Sequence, residues 1–395
     1  MTKWFCTICF DEHEAENAPT TCKACGAHQK SIVLMKNESA DQVQGNFEVM
    51  PENLEQVRDA ARKKLKGICA VYPACNGRDD KICQREAYGK PIGLGGAGSG
   101  ASFTANVESL ARLRLKTRLI GEPFEPDPGF RFFNMDLSLP VMGSSTAGVS
   151  RYNDSITELD FCRATIRGCR EAGTLAWRGD TWFYTPEDNP ALDALEMEGG
   201  HGIPIFKPRA QDVLKGLIER AEKANCPAVG VDLDGCGSTI MARYGQPVFR
   251  KTEKDLRELV ESTSLPFIAK GIMTSEDAIA CAEAGVRVVS VSNHGGRVLD
   301  HTPGVAEVLP EIVDSVGEKV LITADGGVRT GYDVIKMLAL GADAVLIGRD
   351  VIRASVGAGS LGVRLHMEQL LQILKRAMMM TRCGNVSAIG KDILM

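Results

Sequence analysis

From residue 139 onward, short apolar runs alternate with longer amphipathic stretches. The runs are LPVMG (139–143), TLAW (174–177), IPIF (203–206), AVGVD (228–232), PFIAK (266–270), RVVSVS (287–292), KVLITA (319–324) and DAVLIG (343–348). Each is almost continuously apolar, the pattern of a strand covered on both faces. Between them lie ITELDFCRATIRGCREAG, a short stretch around ALDALEM, QDVLKGLIERAEKA, EKDLRELVES, SEDAIACAEAG, VAEVLPEIVDSV and TGYDVIKMLALG. A long closing stretch runs from LGVRLHMEQL to RAMMM. Their apolar residues recur at helical spacing. Eight strand–helix units in succession predict an α/β fold, a (β/α)8 TIM barrel. An open doubly wound sheet is the alternative that the same rhythm allows.

The chain before residue 106 reads differently. PENLEQVRDAARKKLK (51–66) predicts a helix, with a proline near its start and basic residues at its end, where the helix dipole favours them. Residues 67–106 are rich in glycine, contain cysteines and read as loop. The expected division is a small metal domain over 1–36, a linker and helix over 37–90, and the barrel over 91–395.

Composition narrows the classes of function. Lys plus Arg is 46 and Asp plus Glu is 51, a formal net charge of −5, which argues against nucleic acid as the default partner. The 44% hydrophobic and 25% charged residues are ordinary for a globular chain. No apolar run is long enough to predict a membrane span, and MTKWFCTICFDEHE lacks the basic-then-apolar pattern of a secretory signal. Thirteen cysteines, an odd number, point to a reducing, cytoplasmic setting and to metal or redox use rather than disulfides.

Four of those cysteines are arranged for a metal. Cys6-Thr-Ile-Cys9 and Cys22-Lys-Ala-Cys25 are two CxxC knuckles twelve residues apart. Each turns two thiolates toward one point, and together they complete a tetrahedral four-thiolate site for iron or zinc. Trp4-Phe5 before the first knuckle, Ala18-Pro19 before the second and Gly26 after it resemble a rubredoxin-like domain. That resemblance implies iron. Phe10 and Lys23 depart from the rubredoxin pattern, and a structural zinc ribbon stays open. Cys69, Cys75 and Cys83 could ligate an iron–sulfur cluster, but free thiols in a loop are the simpler reading. Gly93-Leu94-Gly95-Gly96-Ala97-Gly98 satisfies GxGxxG. It follows no convincing strand, so a dinucleotide-binding fold is not expected there.

In a barrel of this kind, chemistry belongs at the C-terminal strand ends. The residues there are Lys270-Gly271, then Ser292-Asn293-His294-Gly295-Gly296-Arg297, then Asp325-Gly326-Gly327-Val328-Arg329, then Gly348-Arg349. The last two groups read as a phosphate site, with glycines for close backbone approach and two guanidiniums for charge. His294 between a strand end and Gly-Gly is a candidate general base.

These residues, in SNHGGRVLD, KGIMTSEDA, VLPEIVDSVG, ADGGVRTGYDVIKMLALGADAVLIGR, GGAGSGASFTAN and the closing CGNV, resemble the FMN-dependent 2-hydroxy-acid oxidases and dehydrogenases over about 91–390. The resemblance implies that His294 takes the proton of the substrate 2-hydroxyl and that Arg297 holds the substrate carboxylate. Asp234 would orient the histidine, and Lys270 would stabilise negative charge at the flavin N1–O2 edge. Ser292 would contact the ring. Asp325, Gly327, Arg329, Gly348 and Arg349 would hold the ribityl chain and phosphate. It also implies a homotetramer.

The departures concern the substrate. Ile92-Gly93 stands where the family has a tyrosine, and Lys207 and Arg209 replace a ring-reading glutamine and a second tyrosine. The strand-four arginine has no clear match, with Met241 and Arg243 in that region. Lys207 and Arg209 lead us to expect a more anionic substrate. The implied activity is oxidation of a 2-hydroxy acid to a 2-oxo acid, with electrons passing through a four-cysteine iron site to a partner protein. A reductase running the other way, or a non-catalytic flavin-binding scaffold with a zinc ribbon, are the alternatives.

Overall fold

The computed structural model describes residues 2–6, 12–17, 20, 32–34, 51–65 and 96–395. Strands β1 (Thr2–Cys6), β2 (Glu12–Ala15) and β3 (Ile32–Leu34) form an antiparallel sheet in the order β2-β1-β3. Cys9, Cys22 and Cys25, the Cys6 side chain, Cys69, Cys75, Cys83 and residues 92–95 lie outside what is described.

Helices α1 (Leu54–Lys64) and α2 (Ala101–Arg112) precede a hairpin of β4 (Phe130–Phe132) and β5 (Met135–Leu137). Eight parallel strands follow: β6 (Val141–Thr146), β7 (Ala176–Arg178), β8 (Ile203–Phe206), β9 (Val229–Asp232), β10 (Phe267–Ile272), β11 (Val288–Val291), β12 (Leu321–Ala324) and β13 (Ala344–Ile347). They close in the order β10-β11-β12-β13-β6-β7-β8-β9. The structure is therefore a TIM barrel, and the open doubly wound alternative falls. The helices are α3 (Glu158–Glu171), α4 (Pro190–Met197), α5 (Gln211–Lys223), α6 (Thr239–Arg243), α7 (Glu253–Glu261), α8 (Ser275–Glu283), α9 (Val305–Val316), α10 (Gly331–Ala339) and α11 (Arg349–Thr381). No helix among the described residues is long and apolar enough to cross a membrane.

Four helices start at the same local signal. Thr157, Thr252, Thr274 and Thr330 each accept the backbone N–H of an aspartate three residues on. Each such cap is worth about 1 kcal/mol and sets where the helix leaves its loop.

The strand period of two separates the barrel into an inside and an outside. Met142, Trp177, Ile205, Ile268, Val288 and Leu346 point inward and pack with Phe132 and Leu137 of the hairpin, which plugs the N-terminal end. Val141, Val231, Ala269, Val289 and Ile347 point outward into the helix layer. Two residues further along the inward rows, the apolar positions give way to Lys207 after Ile205, Lys270 after Ile268 and Gly348 after Leu346. The interior thus turns from oily to charged at its C-terminal rim.

Two expectations need correction. The loop assigned to 67–106 gives way to α2 at Ala101. Its N-cap, Gly100, has no side chain, and Asp300 supplies the cap from two hundred residues away: it accepts the Ser99 N–H (2.6 Å), the Ser99 hydroxyl (2.8 Å) and the Ala101 N–H (3.1 Å). These bonds hold the Asp300 carboxyl down at about 2. The closing helix begins not near residue 361 but at Arg349, with a break at Ala358 and Gly359.

Candidate active site

The charged rim surrounds a cavity of about 610 Å³, within the usual range for a small-molecule or cofactor site. Lys207, Lys270, His294, Arg297, Asp325, Gly327, Arg329, Gly348 and Arg349 all line it. Five strand ends, those of β8, β10, β11, β12 and β13, bring them together from segments far apart in the chain. Asp234 and Ser292 stand behind the lining.

His294 sits at the centre. Its backbone has φ +58°, a left-handed conformation that costs a non-glycine residue energy. The loop is held there by Asn293, which exchanges hydrogen bonds with Asn106 of α2 (2.7 and 3.2 Å) and also donates to Thr302 and Pro303. The next glycines have a packing reason. A Cβ on Gly296 (φ +79°) would strike the Phe103 backbone, and one on Gly327 (φ +82°) would strike that of Asn106. These glycines admit α2 against the barrel rim, a role distinct from the phosphate approach expected of Gly327.

The imidazole Nδ1 lies 3.0 Å from Asp234 Oδ1 and 3.3 Å from Asp232 Oδ2. Gly271, with φ +95°, leaves the space that the Asp234 side chain occupies. Burial pulls the imidazole down, but Asp232 and then Asp234 outweigh burial and the nearby lysines, so its pKa lies above the ordinary 6.5. Lys270 Nζ lies 3.0 Å from Ser292 Oγ, 3.3 Å from Asp232 and 3.7 Å from Asp325. Burial opposes its charge, yet Asp232 and Asp325 hold the ammonium above its ordinary value. Lys207 Nζ donates to Asp232 Oδ2 at 2.6 Å. Ser292 is fully buried. Its hydroxyl accepts from Lys270 and from the His294 N–H, so it orders the lysine and the loop from beneath.

Arg209 does not stand at the cavity. It is buried, gripping Asp180 through Nε (2.9 Å) and Nη2 (2.8 Å) and bonding the Tyr184 carbonyl (2.9 Å) and Gln246. The substrate-facing role expected of it is withdrawn, because its charge is already matched. Met241 lines the cavity and Arg243 is exposed away from it. Sequence reasoning missed Arg151, Trp182 and Tyr244, which form the far wall. The Arg151 guanidinium lies over the rings of Trp182 (5.2 Å) and Phe183 (5.0 Å), and Tyr244 packs on Trp182 at 4.1 Å. The loop carrying Arg151 is clamped by buried Glu158, which accepts the Gly148 and Ser150 N–H groups and the Tyr184 hydroxyl.

At the opposite end, Arg329, Arg349 and Arg353 gather. Arg349 lies over Phe103 (4.6 Å) and donates to the Gly295 carbonyl. Burial, then Arg329, Arg58 and Arg349, pull Arg353 down to about 9, and His366 behind it is held down at about 3 by burial and by Arg353. Arg353 is ion-paired to Asp350, and three arginines against that one carboxylate give this part of the cavity the field of an anion site. Thr146 Oγ1 and Asp325 Oδ1 are buried at the cavity wall with no protein partner among the described residues, so acceptor and donor groups of a polar ligand have places to bond. A phosphorylated flavin fits this lining, which offers arginines, lysines, a histidine and hydroxyl and carboxylate oxygens together.

Comparison with known proteins agrees. A family profile described as FMN-dependent dehydrogenase matches residues 93–250 and 238–395. The chain belongs to this family. It is 29% identical to human 2-hydroxyacid oxidase 1 over 339 residues, covering 76% of this chain and 90% of that protein. It is 30% identical to the L-lactate oxidase of Alicycliphilus denitrificans over 336 residues, with 76% and 90% covered. The solved structure of mandelate oxidase superposes with a TM-score of 0.69 at 26% identity, covering 87% of this chain and 97% of that one. As a member of the FMN-dependent dehydrogenases, this chain is an oxidoreductase. In it, Arg329, Arg349, Asp325 and Thr146 would hold the phosphate and ribityl chain, and Lys207 and Lys270 the ring.

Proposed function

We propose that this enzyme oxidises a 2-hydroxy acid to the 2-oxo acid. The observation that carries the proposal is His294, braced by two carboxylates at a cavity whose rim also carries Arg297. With Nδ1 committed to the carboxylates, Nε2 is the nitrogen left to take the proton of the substrate 2-hydroxyl. Arg297 is exposed at the rim and makes no ion pair among the described residues, so it is available to anchor a carboxylate. Bound FMN would supply the acceptor for the hydride that leaves C2. Anaerobic titration of the holoprotein with a panel of 2-hydroxy acids tests the proposal: the flavin band bleaches with at least one of them, and an intact band with all would sink it.

The substrate carries a second anionic group. Arg151 is the support for this, in place of Arg209: it too lines the cavity without an ion pair among the described residues, and its stacking on Trp182 and Phe183 occupies ring faces that an aromatic substrate would need. We expect a 2-hydroxy dicarboxylate to show a KM about tenfold or more below that of the monocarboxylate of equal length, the effect of one charge-assisted hydrogen bond. Arg151→Gln removes the difference and leaves the monocarboxylate KM unchanged. Equal KM values in the unaltered enzyme would refute it.

We further propose that residues 1–36 are a rubredoxin-like module in which Cys6, Cys9, Cys22 and Cys25 would hold iron, that residues 37–90 link it to the flavin-binding barrel of 91–395, and that the iron would supply a one-electron relay between flavin and a partner protein. The spacing of the two CxxC knuckles supports this reading, and the antiparallel sheet of β1–β3 is a suitable frame. The family resemblance supports a homotetramer, and the cysteine content a cytoplasmic setting. Metal analysis is expected to find one iron per chain, with an iron–thiolate band that bleaches after the flavin. Cys9→Ser with Cys22→Ser removes the metal and that second phase while substrate still bleaches the flavin. Zinc in the native protein overturns the electron-transfer role.

A further inference from the structure

Beyond Arg329 and Arg349, which follow strand ends, the cavity is lined by a third arginine inside a helix. Arg353 comes one turn after Arg349 on α11, so both lie on the helix face that borders the cavity. Arg329 comes to the same cavity from the turn after β12. Arg353 is only 6% exposed, and it is ion-paired with Asp350, three residues before it. Asp350 belongs to the first turn of α11 and lines the cavity as well. A carboxylate therefore stands among the guanidiniums, where it occupies part of the field that would draw an anion.

The charges here can be counted. Three guanidiniums and one carboxylate leave two positive charges in excess. Two other carboxylates of the lining are matched elsewhere: Asp180 by Arg209 and Asp325 by Lys270. His366, buried behind Arg353, adds no charge, because burial and then Arg353 and Arg58 hold its pKa at about 3. Burial first, then Arg329, Arg58, Arg349 and Arg62, oppose the charge of Arg353. An anion in the cavity relieves that opposition. A phosphate monoester at pH 7 carries about −1.5 to −2, which matches the excess.

We infer that Arg353 is a third phosphate-binding arginine of this flavoenzyme, and that Asp350 is its built-in counter-ion. In the cofactor-free protein Asp350 keeps a buried guanidinium compensated. With the cofactor bound, the same carboxylate opposes the phosphate and limits its affinity. A guanidinium has five N–H donors, so Arg353 can serve both anions at once. The inference goes beyond the reading of the preceding section and holds whichever substrate the enzyme oxidises.

The test compares FMN with riboflavin, which lacks only the phosphate, by quenching of flavin fluorescence on titration with cofactor-free protein. Arg353→Met raises the Kd for FMN about tenfold or more, the loss of one charge-assisted contact, and leaves that for riboflavin unchanged. Asp350→Asn acts in the opposite direction: the FMN Kd falls roughly fivefold as an opposing charge is removed, again without effect on riboflavin. The double variant lies between the two. Parallel loss of FMN and riboflavin in Arg353→Met would assign the arginine to the fold of this end and overturn the inference. So would an Asp350→Asn protein whose ratio of riboflavin to FMN Kd does not rise. Should Arg353→Met fail to fold, that ratio in Asp350→Asn decides alone. A protein that no 2-hydroxy acid reduces would lose its proposed function while these constants still responded as described.

Discussion

Replacing His294 by asparagine is expected to slow substrate-driven flavin reduction by about 10²–10⁴-fold, the usual contribution of a positioned general base. Asparagine is the right substitute because it tolerates the left-handed backbone at this position, φ +58°. It also keeps a polar group facing Asp234. The loop stays tied by Asn293 to Asn106, so FMN affinity should change little. Stopped-flow reduction under anaerobic conditions separates the two quantities. A loss of FMN binding in parallel with the rate would mean that His294 holds the loop rather than the proton.

The same residue sets a pH dependence whose sign follows from its surroundings. The imidazole pKa lies above 6.5 because Asp232 and Asp234 outweigh burial. The base form is therefore lost as pH falls through a value above 6.5, and kcat/KM falls with it. An acid limb at or below 6.5 would contradict the two-carboxylate environment. Stability runs the other way: the contribution of the protonated histidine is fully present below 6.5 and is lost as pH rises through the higher folded-state value.

The largest expected effect on stability lies far from the chemistry. Glu198, just past α4, has a side chain only 2% exposed and accepts from three arginines of α3: Arg163 (2.9 Å), Arg167 (2.8 Å) and Arg170 (3.1 Å). Arg163 is itself buried. Glu198→Gln removes the carboxylate that these three guanidiniums share and leaves the buried charge of Arg163 without it. Breaking such a cluster from one side costs about 3–5 kcal/mol, which for a domain of this size lowers Tm by roughly 5–8 °C. Calorimetry of the FMN-loaded protein measures it. The flavin spectrum should be unchanged, because α3 and α4 contribute nothing to the rim around His294. A Tm that stays at the native value would show that water reaches the cluster and screens it.

The barrel was legible because its strands are buried on both faces and so write themselves as apolar runs, separated by stretches of helical period. The strand-end chemistry was legible for a related reason: the inward row must change from apolar to polar where it reaches the rim, and Lys270, His294, Asp325 and Arg349 stand at those changes. The hairpin of β4 and β5 was missed because three-residue strands carry no readable period. Helix α2 was missed because its cap, Asp300, is two hundred residues away. Arg209 was misplaced because a sequence position opposite a known substrate residue says nothing of what a side chain will find to pair with; Asp180 took it. Arg151, Trp182 and Tyr244 lie on loops of unrelated sequence, and only their convergence makes a wall.

By itself, then, the sequence determined the barrel, the order of its elements and the residue types at its rim, since these depend on burial period and local capping, which act along the chain. The tertiary structure decided which charges answer one another. That Asp232 serves two lysines and a histidine, that Arg209 is committed to Asp180 and that Arg151 and Arg297 keep their charge for the cavity depend on distances between separate strands and loops. Electrostatic interaction falls with distance and strengthens with burial, and neither quantity exists until the strands have closed.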